Sequence, residues 1–190
     1  MLNNAGRFID RHSMVWMRRL DVPVERAWEA VSTKDGLNHW WVGKTSEFNL
    51  RPGGVFSHHW LSRVNDFKEH QYIDFGDVTF SGAGMRFELK VERGGVVFSF
   101  LDNWEESAAP KLTAGDEPWR LAQPGGAGTP WSGVCAGWHS MIDKLEEYLT
   151  GKKVEHSYED LCKFYVGYLT DYFRWMELMP AKREAEKQRN

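Results

Sequence analysis

The sequence predicts an α+β fold, with helices gathered on one face of an antiparallel sheet. Three observations carry this. Residues 85–102 alternate apolar and polar side chains around Gly94-Gly95, the pattern of a hairpin. Val134, Trp138, Met141, Leu145 and Tyr148 recur at 4-3-4-3 spacing, the pattern of one helix face. Residues 157–179 carry two adjacent apolar rows at helical spacing, headed by Leu161 and Cys162.

Taken in order, residues 1–12 read as a loose arm and 13–20 as a strand. Pro23 suits the first turn of a helix, because its missing N–H costs little there. Asp21 is the expected N-cap. Val24, Ala27, Trp28 and Val31 then share one helical face, and a short second helix covers KDGLNHWW. From Ser46 the period changes to two, with Arg51-Pro52-Gly53-Gly54 as a turn. Residues 71–81 alternate again, and a bulge at Gly76 would keep Ile73 and Phe75 on the face of Val78 and Phe80. With Gly94-Gly95 as the hairpin turn, 91 faces 98, 89 faces 100 and 87 faces 102. Residues 105–130 are rich in Pro and Gly and read as one long loop. Helices follow over 131–149 and 157–179, and a charged tail ends the chain. The expected domains are the arm at 1–12, the α+β body at 13–150 and a helical extension at 151–190.

Composition narrows the function. The chain has 190 residues, a net charge of −3 and 27 aromatics (10 Trp, 11 Phe, 6 Tyr), against three Ile. There is no global basic field for nucleic acid. No apolar run approaches the roughly 20 residues that span a bilayer. The N-terminus has no apolar signal-like stretch, and the two cysteines suggest no disulfide framework. A cytoplasmic protein is the expectation.

The chemistry-bearing motifs are sparse. Gly43-Lys44-Thr45 fails as a phosphate loop, because His39 stands where a Gly is needed. His58 and His59 are adjacent on a strand and point to opposite faces. His139 and Asp143 are spaced i,i+4, and the pattern reads as a solvated pair. No metal-ligand spacing, cofactor motif or catalytic motif appears. Asp102 falls at the end of an apolar face, where it either meets solvent or anchors a ligand in an apolar pocket.

Three segments together are similar to a known family: VERAWEAVSTKDGLNHWWVG, FNLRPGGVF at 48–56, and GWHSMIDKLEEYL at 137–149. In order, they resemble the activator of heat-shock protein 90 ATPase homologue family, within the START-like SRPBCC superfamily, over roughly residues 14–150. The resemblance implies a helix-grip fold, a curved antiparallel sheet wrapped around a long C-terminal helix, with 131–149 as the gripped helix. It implies a cavity that takes an apolar ligand, and it supplies no catalytic motif. The long loop and the extra C-terminal helix depart from the family pattern.

The leading expectation is a binding protein for a small lipophilic or aromatic molecule. Its lining residues are Phe56, His58, Trp60, Phe75, Phe80, Phe87, Leu89, Phe98, Phe100, Asp102, Trp138 and Met141. Trp28, Trp40 and Trp41 read as structural. The first alternative is an interaction or co-chaperone-like module that forms a homodimer through Tyr165, Tyr168, Tyr172 and Trp175. The second is an enzyme using His58 or Asp102 on a bound ligand.

Overall fold

The structure is a computed structural model. It describes residues 5–10, 13–41, 43–58, 61–77, 84–103, 131–153 and 156–168. Eight strands form one antiparallel sheet: β1 (Arg7–Asp10), β2 (Ser13–Leu20), β3 (Glu47–Phe48), β4 (Val55–Ser57), β5 (Leu61–Lys68), β6 (Tyr72–Asp77), β7 (Gly84–Glu92) and β8 (Gly95–Asn103). Their spatial order is β1-β2-β8-β7-β6-β5-β4-β3. The helices are α1 (Val24–Ser32), α2 (Lys34–Trp40), α3 (Trp131–Thr150) and α4 (158–168). This is the α+β helix-grip architecture. Two compact units divide the chain, Met1–Ala109 with His139–Glu155, and Pro110–Trp138 with His156–Asn190. The sheet, α1, α2 and the second half of α3 therefore share one unit.

Alternation decides which side chains the sheet buries. On β2, Met14, Trp16, Arg18 and Leu20 point inward. They stand in register with Asp102, Phe100, Phe98 and Val96 of β8. Across β7, Phe100 meets Phe87 and Phe98 meets Leu89; Phe87 then pairs with Ile73 of β6. This inner face is the apolar floor of the unit.

Five local readings are corrected. Residues 7–10, read as part of a loose arm, form β1 on β2. Asp21 does not cap α1. The helix starts directly after Pro23, whose carbonyl accepts from the N–H groups of Arg26 and Ala27, so Asp21 lies too far upstream. The β7–β8 turn is Arg93-Gly94, with Glu92 opposite Gly95. Gly94 supplies the positive φ of +88° at the second turn position. Gly95 serves another need, since a Cβ there would sit 2.2 Å from the Leu20 carbonyl oxygen. Gly76 sits in register with Arg63 and Gly84, and the irregularity falls on β5 between Val64 and Asp66. Val78 and Phe80 lie outside the described residues. Finally, the buried stripe of α3 is wider than the 4-3-4-3 spacing predicts. Trp138, Met141 and Leu145 are buried as expected, but Val134 is exposed, and Cys135, Ala136, His139, Ile142 and Asp143 are buried as well.

The turn at residues 51–54 closes as its Pro-Gly chemistry predicts, with Gly54 N–H donating to the Arg51 carbonyl at 2.7 Å. Thr33 links the two short helices. Its hydroxyl donates to the Glu29 carbonyl and accepts from Gly36 N–H, capping α2. No described helix is long and apolar enough to cross a membrane.

Candidate functional site

The inner face carries a continuous aromatic cluster. Phe87 is its hub and is fully buried. Its ring lies 5.1 Å from Phe75, 6.0 Å from Phe98 and 5.8 Å from Phe100, centroid to centroid. Phe75 continues to Phe56 at 5.2 Å, and Phe56 to Phe48 at 5.4 Å. Trp16 closes the other end on Phe100 at 5.7 Å. Tilted and edge-on geometries dominate, as the ring quadrupoles favour.

α2 and the residue after it complete this cluster. Trp40 lies 5.6 Å from Phe87 and 6.1 Å from Phe98. Trp41 lies 5.2 Å from Phe56 and 5.5 Å from Phe87. Trp40 is anchored by its indole N–H, which donates to the Ala30 carbonyl of α1 at 2.9 Å. A buried indole needs such a partner. By sequence, Trp40 and Trp41 stand apart from the sheet phenylalanines as structural. The structure joins them to one cluster, because Gly36 and the Thr33 cap hold α2 close on α1, which packs against β7 and β8.

Phe56, Phe75, Phe87, Phe98, Phe100 and Met141 are buried to within 1% of complete, and Leu89 is 5% exposed. His58 is half-buried, and its ring lies against Phe56 and Trp41 at 4.3 and 5.3 Å. Asp102 is half-buried too, but it stands opposite Met14 and Met85, not Phe87, because the hairpin register differs by two residues. Trp138 is buried and belongs to the second unit. Trp60 and Phe80 lie outside the described residues, as do Tyr172 and Trp175 of the expected dimer surface. Tyr165 is fully buried. Tyr168 is half-buried, 6.2 Å from Tyr165.

The largest departure from expectation is polar. His139 and Asp143, read as a solvated pair, are 1% and 5% exposed. Arg18, 2% exposed, reaches Asp143 Oδ1 with Nη2 at 2.5 Å and Glu146 Oε2 with Nε at 3.5 Å. The signal for Arg18 was present, since it occupies an inward parity between Trp16 and Leu20. The signal for Asp143 was not, since its partner lies on another element. Among the described residues, no group of His, Cys, Asp and Glu could hold a metal ion.

The opposite face of the sheet offers a different surface. An open groove of about 780 Å³ runs past Met17, Tyr72, Glu88, Lys90, Val97 and Ser99. Tyr72 donates to Asp66 at 2.6 Å and lies under the Arg86 guanidinium. The hydrogen bond to Asp66 holds the Tyr72 phenol above its ordinary value. Its lining mixes apolar side chains with charged ones.

Comparison with known proteins agrees with this architecture. The family model described as Activator of Hsp90 ATPase homolog 1-like protein matches residues 21–150. A solved structure of a conserved protein of unknown function from Enterococcus faecalis is similar at 14% identity and a TM-score of 0.61, over 88% of this chain and 90% of that one. CalU16 from Micromonospora echinospora is similar at 15% identity and a TM-score of 0.56, over 86% and 90%. Protein NE0264 from Nitrosomonas europaea is similar at 19% identity and a TM-score of 0.54, over 77% and 100%. At such identities the likeness is one of fold. No curated protein matches the chain.

Proposed function

We propose, from the premise that the chain belongs to the Activator of Hsp90 ATPase homolog 1-like family, that it binds a small lipophilic or aromatic molecule on the inner face of its sheet. The observation that carries this reading is the aromatic cluster centred on Phe87, faced by Trp40 and Trp41. A planar ligand that parts these rings would stack on them, and a lipophilic one would bury a large area there. Met141, an unbranched and adaptable side chain on α3, suits a wall that accommodates different shapes. His58, in ring contact with Phe56 and Trp41, supplies the polar group that orients a ligand at the β4 end. Asp102 supplies a second at the β8 end, between the two methionines.

The test is native mass spectrometry of freshly purified protein, followed by tryptophan-fluorescence titration with 2-naphthol and with a long-chain fatty alcohol. The expected result is a co-purified small molecule or saturable one-to-one binding of a probe, weakened at least about tenfold by Phe98→Ala, the loss expected when an aromatic wall is truncated. A protein that emerges bare and binds neither probe overturns the reading. The same spectra report the oligomeric state.

A further inference from the structure

The charges buried between β2 and the second half of α3 do not balance. One guanidinium, Arg18, faces two carboxylates, Asp143 at 2.5 Å and Glu146 at 3.5 Å. That leaves one uncompensated negative charge. Arg18 and Asp143 are almost wholly buried, and the Glu146 side chain is 22% exposed. Excess charge in such surroundings is costly, because little water reaches it.

The group that can restore the balance is adjacent. His139 Nε2 lies 3.4 Å from Asp143 Oδ2, on the side of the carboxylate that Arg18 does not occupy. Asp143 Oδ2 is buried and accepts no hydrogen bond among the described residues. Among the described residues, Asp143 from its own helix faces the imidazole directly, and Arg18 from β2 joins that carboxylate to Glu146. A proton on His139 brings the cluster to neutrality. It also converts the 3.4 Å approach into a charge-assisted hydrogen bond.

We propose that Arg18, Asp143, Glu146 and His139 form a proton-operated clasp between β2 and α3, with His139 as the member that takes up the proton. The proposal does not rest on the ligand reading. When the proton leaves, the excess negative charge returns to the strand–helix junction and the grip on α3 loosens. The sign follows from linkage. The folded cluster binds a proton that the unfolded chain has released, so the added stability is complete below the ordinary histidine value of about 6.5 and is lost as pH rises above it.

Two measurements on the full chain test this. Melting temperature is followed from pH 6 to pH 8 for the wild type, His139→Gln and Glu146→Gln. The wild type is expected to lose about 3–5 °C across that range, and both variants to lose much less. In parallel, the His139 ring proton is titrated by NMR. Its midpoint is expected to move down in Glu146→Gln, where the surplus charge is gone. The proposal is overturned if wild type and His139→Gln decline alike. It also fails if His139 keeps one midpoint in both wild type and Glu146→Gln, a comparison that holds even if His139→Gln does not fold.

Discussion

Arg18 Nη2 donates to Asp143 Oδ1 across 2.5 Å, tying residues 125 positions apart in the chain. The donor sits on the inner face of β2, in register with Phe98, and the acceptor sits on α3. This contact fixes the second half of the helix to the sheet where the surrounding side chains are apolar.

Removing one partner of such a pair strands the other without solvent. Arg18→Met is therefore expected to destabilise the fold by about 3–5 kcal/mol, measured by urea unfolding. The double variant Arg18→Met, Asp143→Leu should recover part of that loss, since apolar replacements leave less buried charge. A single-variant cost below about 1 kcal/mol, the range of exposed pairs, would count against a buried clasp.

Phe87 lies against five other rings of the cluster and has no exposed surface. Phe87→Ala should cost about 3–5 kcal/mol in chemical denaturation, combining lost burial with the cavity left behind. Leu89→Ala, on the same strand and face, belongs to the lower and wider range of about 2–5 kcal/mol. The two values order the floor by how far each site can collapse.

The Trp40 indole hydrogen bond to Ala30 ties α2 to α1. Trp40→Phe keeps most of the ring area but removes the donor. A loss of about 1–3 kcal/mol is expected, the cost of leaving a buried carbonyl without its partner. Thermal melts of Trp40→Phe beside Trp41→Phe separate this bond from ring packing.

Ser157 caps α4. Its hydroxyl accepts from Asp160 N–H at 3.2 Å and donates to the Asp160 carboxylate at 2.6 Å. That hydrogen bond, with Lys163 nearby, holds the Asp160 carboxyl below its ordinary 3.8. A depressed carboxyl stabilises the folded state above the unfolded value, and the contribution is lost as pH falls through the folded one. Ser157→Ala should move the Asp160 titration upward in an NMR pH series and increase amide exchange in the first turn of the helix.

The sequence by itself determined the inward parities of β2, β7 and β8, because a two-residue period needs only local alternation. The Pro-Gly turn at 51–54 and the helices at 24–32 and 34–40 were legible for the same reason, since capping and turn chemistry act within a few residues. Phe87, Phe98 and Phe100 could thus be placed on one face before any contact was known. Three things were decided only by the tertiary structure. The hairpin register depended on which glycine turned the chain and which approached β2, and so Asp102 stands beside Met85 and not Phe87. Trp40 and Trp41 joined the phenylalanines because α1 carries α2 onto the sheet. Asp143 looked solvated on its helix and became buried, because its compensating charge comes from Arg18 on a distant strand. Periodicity records which way a side chain faces. The partner that makes a buried charge tolerable is set by long-range packing, and one helix read alone does not contain it.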